Sequence, residues 1–560
     1  MTSRNPVPRT GQDDVEKPLS TDTGAAGEIK DGTDGNAILH HSSSKILLVM
    51  LSVYISSFLI ALDKTILATA IPRITDHFSS LRDIGWYASS YMLTLCSFQL
   101  LWGRIYTFYS PKPVFLCSIL IFEIGSAVCG AAPSSAAFIF GRAISGIGSA
   151  GMTNGSIIIM MHTVPLAKRP MYQGLIGAVF GVASVIGPLL GGVFTEKLSW
   201  RWCFYINLPC GAVVVILLLL FLHLPSRTSL QTPLLQQIRQ LDPLGTIFFL
   251  SSITSLLFAL QWGGTTYAWS NWRIITLLVL FPLLLLSFLT IQFVNPGTAT
   301  LPLRILNCRT IVSALIFTST SQASMLVITY FIPLFFQALQ SLSPISSGLA
   351  TLSTILALVF GTIFAGGLVQ KIGYPAPLMY ASVCLSAVGA GLVSTWPLTV
   401  TKARWIPYQV VFGLGIGVGM QQPTMLAQIV LPPADVPTGI SLMFLGQNLG
   451  GAVFIAVAQN VFADRLAWVL SAIPALRLGR EDVAEMGATR IREMVPKEVL
   501  GMVLDGYWGA IRKAFFVGVG LAAASFIGAV GVEWRSVKEG KEGSGEGKKR
   551  EGKRENEVDV

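Results

Sequence analysis

Charge is what this chain has least of. Only 12% of its 560 residues are Asp, Glu, Lys or Arg, against roughly 25% in soluble domains, while 52% are hydrophobic. That balance excludes an ordinary soluble fold and leaves an all-α polytopic membrane protein, because helices satisfy their own backbone groups in lipid. Other absences narrow the function. The seven cysteines show no CxxC spacing and fall in or beside apolar segments, apart from Cys308 in a short loop, so neither a disulfide framework nor a metal site is expected. No GxxxxGK[ST] occurs, which leaves ATP-driven transport without support. No catalytic constellation or cofactor motif is evident, and the chain reads as a carrier rather than an enzyme. Its first 45 residues are polar, with no apolar signal-peptide core, so the first membrane helix is expected to serve as its own uncleaved insertion signal.

Apolar runs of at least ~18 residues number fourteen. They cover approximately 46–71, 85–106, 113–132, 138–160, 172–195, 203–223, 243–263, 274–294, 311–338, 346–369, 376–396, 405–430, 437–462 and 510–532. An even count puts both termini on one side. Lys and Arg in short loops divide almost evenly, and the basic run within 535–554 tips the balance towards both termini inside, as a tail beside an anionic leaflet. The net charge of +10 therefore points to lipid and not to nucleic acid. The polar stretch 463–509 is expected outside, with a short amphipathic helix on the surface. Asn154 matches a glycosylation acceptor but lies inside the fourth span, out of reach of the modifying enzyme.

Three similarities recur in order. RAISGIG at Arg142 returns as QVVFGLG at Gln409, 267 residues on; GPLLGG at Gly187 returns as GQNLGG at Gly446, 259 residues on; the loop at Gly103 has a counterpart in GLVQKIG at Gly367. Two related six-helix halves follow, with 243–294 as an inserted pair.

Three charged residues stand at membrane depth. Asp63, in LDKTILATAIPRIT, costs about 2.5–3.5 kcal/mol to insert and is by default functional; read alone it could also be solvated near the surface with Lys64 snorkelling. Glu123, mid-span in LCSILIFEIGSAVCG, could exchange protons or make a structural hydrogen bond. Arg142 opens the fourth span and could pair with a carboxylate or snorkel. Within spans nine to thirteen no acid occurs, only amides and aromatics: Gln322, Tyr330, Gln337, Gln421, Gln422, Gln447 and Asn448 are the candidates for a substrate cavity.

The segment Gly174–Gly192, GLIGAVFGVASVIGPLLGG, holds six glycines and Pro188, which suits a closely packed, bent membrane helix. Its GPLLGG resembles the antiporter motif in the fifth helix of the major facilitator superfamily. LDKTILATAIPRIT is similar to the first-helix motif of that superfamily's fourteen-helix drug/proton antiporters, and Arg142 with its glycines resembles the RxxxGxxxG motif associated with proton transfer. WGRIYTFYSPK resembles the fungal version of the loop motif between helices two and three, but Thr107 stands where the motif has aspartate, which puts an aspartate gate in doubt. The resemblance implies two pseudo-symmetric six-helix halves, 46–223 and 311–532, with the two inserted central helices 243–294. It implies proton coupling through Asp63 and Arg142, to which Glu123 is added on its mid-span position alone, and a conformational role for Gly181, Gly187, Pro188, Gly191 and Gly192. The implied function is proton-coupled efflux of an amphipathic small molecule, such as a toxin, secondary metabolite or drug, by a monomer in the plasma membrane, with a vacuolar or vesicle membrane as the other location. A proton-coupled importer, for instance of a siderophore, is the nearest alternative. A transporter-like receptor is a further one, though it would favour a longer structured tail than 533–560.

Overall fold

The computed structural model describes residues 43–80, 83–224, 237, 239–264, 266–471 and 497–538. In the first half the long helices are α1 (Ser43–Phe78), α2 (Ile84–Phe108), α3 (Pro111–Ala131), α4 (Ser135–Thr163), α5 (Arg169–Lys197) and α6 (Asn207–Phe221). The central pair is α7 (Pro243–Trp262) and α8 (Trp272–Val294). The second half has α9 (Arg309–Gln340), α10 (Leu352–Ile372), α11 (Ala376–Ser394), α12 (Lys402–Met420), which Gln422–Val430 continues, α13 (Val436–Ser471) and α14 (Lys497–Val530). Among the described residues the sole β interaction is an isolated bridge between Gly263 and Tyr267.

Thirteen of the described helices are long and apolar enough to cross a bilayer, against the fourteen expected. The difference is the second span. Helix α2 exists and, at ~1.5 Å per residue, has the length. Its composition falls short because it turns polar side chains inward: Ser90, Ser97, Gln99 and Arg104 are all buried. Gln99 donates to Asn154 Oδ1 at 2.7 Å and Asn154 donates back to the Gln99 carbonyl at 3.1 Å. Hydropathy cannot separate a helix lined with such bonds from a less apolar loop-proximal segment.

The expected outer loop 463–509 is shorter than its polarity suggested. Helix α13 continues to Ser471 and α14 begins at Lys497; residues 472–496, with the expected amphipathic helix, lie outside the described residues. So do the tails 1–42 and 539–560. The start of the expected C-terminal tail is pinned, because Val537 is buried and its N–H donates to the Gly373 carbonyl at 2.8 Å.

The two halves repeat their packing. Helix α4 lies against α2 and α3 as α12 lies against α10 and α11, and α5 lies against α1 as α13 lies against α9. Glycine makes both sets of contacts. A Cβ on Gly148 would strike the Phe122 backbone, and one on Gly415, 267 residues later, would strike the Ser386 backbone. The halves meet reciprocally, α5 on α10 and α13 on α2. At one end of the bundle Gly103 abuts the Pro437 carbonyl and Gly366 abuts the Pro170 carbonyl. Gly366, and not its neighbour Gly367, which has nothing nearby, is therefore the counterpart of Gly103, one residue from the expected register.

Candidate functional site

The site grows from three neighbouring helices of the first half. Helix α1 carries Asp63 and Lys64 on successive positions, about 100° apart around its axis, so one side chain turns to α4 and the other to the space between the halves. Arg142, about two turns into α4 after its Ser134 cap, reaches across. Its Nη1 lies 2.6 Å from Asp63 Oδ2, with both side chains buried. Its Nε donates to the Tyr87 carbonyl at 3.0 Å, and the guanidinium sits 4.5 Å from the Tyr91 ring centroid. Tyr91 donates in turn to Ser149 at 2.6 Å. Asp63 Oδ1 accepts no hydrogen bond among the described residues. A buried pair of this kind gains little net energy, but removing one partner costs about 3–5 kcal/mol, because the other charge is left alone in a low dielectric.

The pair backs onto a cavity of about 380 Å³ between the halves, and Arg142 and Lys64 are in its wall. Of the seven amides and aromatics expected there, the structure brings Gln322, Gln421, Gln447 and Asn448 to the cavity. Gln447 donates to Gln322 Oε1 at 3.3 Å. The other three are elsewhere. Tyr330, two turns beyond Gln322 on α9, is 47% exposed and does not line the cavity, Gln337 donates to Ser347 at 2.8 Å, and buried Gln422 donates to the Val418 carbonyl at 2.9 Å within its own helical run. Phe180, Phe444, Met325, Met420 and Met443 supply apolar wall.

Glu123 is not in that wall. It projects from α3 towards α6, where a Cβ on Gly211 would strike its carboxylate, and neither of its buried oxygens is hydrogen-bonded among the described residues.

Helix α5 presents glycine on two sides. A Cβ on Gly181 would strike Val359 of α10, while one on Gly187 or Gly191 would strike Thr65 or Thr69 of α1. Gly192 has nothing within 4 Å and makes no close approach, in contrast to the expectation for all three GPLLGG glycines. The helix runs unbroken through exposed Pro188. Thr65 donates to the Ala183 carbonyl at 3.1 Å, beside the Ser184 carbonyl that proline leaves without a helical donor.

The loop lacking its aspartate is held by other means. Arg104 donates to the carbonyls of Gln240 and Gly297, at 3.3 and 3.5 Å, on the segments flanking the inserted pair. Nearby, Arg304 makes a two-pronged contact with Asp435, 2.7 Å on each side, and this hydrogen bonding holds the exposed guanidinium above its ordinary pKa.

This arrangement has the fold of the proton:xylose symporter XylE, with a TM-score of 0.55 over 86% of this chain and 95% of that one at 15% identity. The sequence model of the Major Facilitator Superfamily matches residues 53–455. The chain belongs to that superfamily. Its relatives include the MFS-type efflux pump MFS1 of Arthroderma benhamiae, 47% identical over 90% of this chain and 94% of that protein. Another is the rubrofusarin-specific efflux pump aurT of Gibberella zeae, 46% identical over 88% and 90%. The chain thus stands in the fungal efflux branch of the superfamily, and is a multi-pass membrane transporter of small molecules.

Two parts of this superfamily site escaped the sequence reading. Gln173 of α5 joins the halves through Thr424, Gln421 Oε1 at 3.3 Å and Gln428 at 3.3 Å; only its place before the glycine run hinted at this. Lys64 entered the sequence reading only in the alternative to a functional Asp63, as a side chain that could snorkel, yet it lines the cavity. Its signal was the helical angle that separates it from Asp63.

Proposed function

We propose that this transporter exports amphipathic organic compounds across the plasma membrane in exchange for protons, working as a monomer. The observation that carries the reading is the buried Asp63–Arg142 pair in contact with an amide- and aromatic-lined cavity. A proton arriving at Asp63 cancels its charge and releases Arg142, so the charge and shape of the cavity wall follow the protonation state. Loading of the proton and loading of the compound are thereby coupled through one side chain. Asp63 is the principal proton site and Arg142 its gate; Glu123, lying apart at the α3–α6 contact, is a second titrating group. Gln322, Gln421, Gln447 and Asn448 orient the compound, while Phe and Met side chains take its apolar part. Gly181, Gly187 and Gly191 with Pro188 let α5 move as a packed unit between α1 and α10. The efflux names of MFS1 and aurT support the outward direction.

Everted membrane vesicles test it. An acid interior should draw a fluorescent compound extruded by wild-type cells into the vesicles, a protonophore should stop it, and Asp63→Asn should remove the gradient-driven part. Movement of compound and proton in the same direction would make the chain an importer.

A further inference from the structure

The cavity wall is electrically unbalanced. Its charged side chains are Arg142 and Lys64, with no Asp or Glu among the lining residues. Arg142 is neutralised by Asp63. Lys64 is not: the described structure gives it no ion pair or hydrogen bond, its ammonium lies 5.9 Å from the Tyr91 ring centroid, and the Asp63 carboxylate, already bonded to Arg142, reaches it only through space. The residues that the second half contributes to the wall, among them Thr318, Gln322, Gln421, Gln447 and Asn448, carry no charge. The positive charge therefore sits on one side, and the opposite wall is made of amides.

An unpaired ammonium surrounded by apolar wall is costly, because little water replaces its lost hydration. A ligand that brings its own negative charge offsets that cost; a neutral ligand does not, and a cation raises it. The N–H groups of Gln322, Gln421, Gln447 and Asn448 can donate to the same anionic oxygens, and a charge-assisted hydrogen bond is roughly twice as strong as a neutral one. Phe180, Phe444 and three methionines accept a flat ring system.

We propose that the cavity selects acidic amphipathic compounds, with an aromatic or polycyclic body and one anionic group seated on Lys64. This rests on reading the cavity as the substrate site and deepens that reading.

Three two-ring probes of matched size separate the possibilities: naphthalene-2-sulfonate, methyl 2-naphthyl sulfone and N-methylquinolinium, whose charges do not vary with pH. Binding is measured on the purified full chain in nanodiscs by titration calorimetry, so transport direction does not enter. The sulfonate is expected to bind at least about tenfold more tightly than the sulfone, and the quinolinium most weakly. Lys64→Met should erase the preference for the sulfonate while leaving the sulfone within about twofold, and Lys64→Arg should keep it. The ranking in the wild-type protein stands as a test even where Lys64→Met does not fold. Equal binding of all three, or a sulfonate preference that survives Lys64→Met, overturns the selection and leaves the cavity as a binding site. Binding of none of them overturns the cavity reading as well.

Discussion

At matching places in the two halves stand Arg142 and Gln409, and they do different work with similar neighbours. Arg142 spends its guanidinium on Asp63 of α1 and the Tyr87 carbonyl. Gln409 accepts from Ser353 and Thr354 at 2.9 and 2.8 Å, both on α10, and its amide nitrogen finds no partner among the described residues. Helix α9, the counterpart of α1, holds no Asp or Glu. The glycines around both positions make the same backbone contacts. One scaffold has thus been kept twice and its charges once. A repeat preserves packing because packing fixes helix spacing, whereas a second buried ion pair would cost further desolvation energy.

Breaking this asymmetry should cost most on the charged side. Asp63→Asn leaves Arg142 alone in the interior, so gradient-driven export should fall at least about a hundredfold, with protein level lowered as well by a loss of about 3–5 kcal/mol. Adding Arg142→Gln should restore the level but not the export, which immunoblots and vesicle flux would read separately. Recovery of both would show that the pair is only structural.

The packing side sharpens the comparison, since equivalent glycines should fail alike. Gly191→Leu against α1 and Gly450→Leu against the Ser319 backbone of α9 should each reduce export by about tenfold without abolishing insertion. Sensitivity confined to the first half would mean that α5 alone moves. A smaller effect is expected from Pro188→Ala, which gives α5 back a backbone donor and should raise passive proton leak about two- to threefold in vesicles with substrate binding intact. Gly192→Ala, entering open space, should leave export and thermal stability unchanged within error; a clear loss would point to a partner helix reaching it in another conformation.

Much of this was legible because periodicity and spacing survive in sequence. The 267- and 259-residue offsets located the repeat, and the rarity of charge singled out Asp63 and Arg142. Depth along a helix was less legible. Tyr330 and Gln322 lie only about 80° apart around α9, but Gln322 lines the cavity and Tyr330, two turns further on, is exposed and does not; no pattern in a uniformly apolar segment marks where a cavity ends. Lys64 was hidden because the first span was expected to end near 71, where a lysine can snorkel, whereas α1 runs on to Phe78 and leaves it mid-helix. The Gln173 cluster depended on contacts about 250 residues distant, which no local pattern encodes.

Coupling proposed for the first half alone can be read from export in everted vesicles across a series of imposed pH gradients for wild type, Asp63→Asn and Gln409→Met. Flux is expected to rise with the gradient in wild type and, within about twofold, in Gln409→Met, while Asp63→Asn shows a flat line. Equal loss of gradient dependence in both variants, or its persistence in Asp63→Asn, would contradict it.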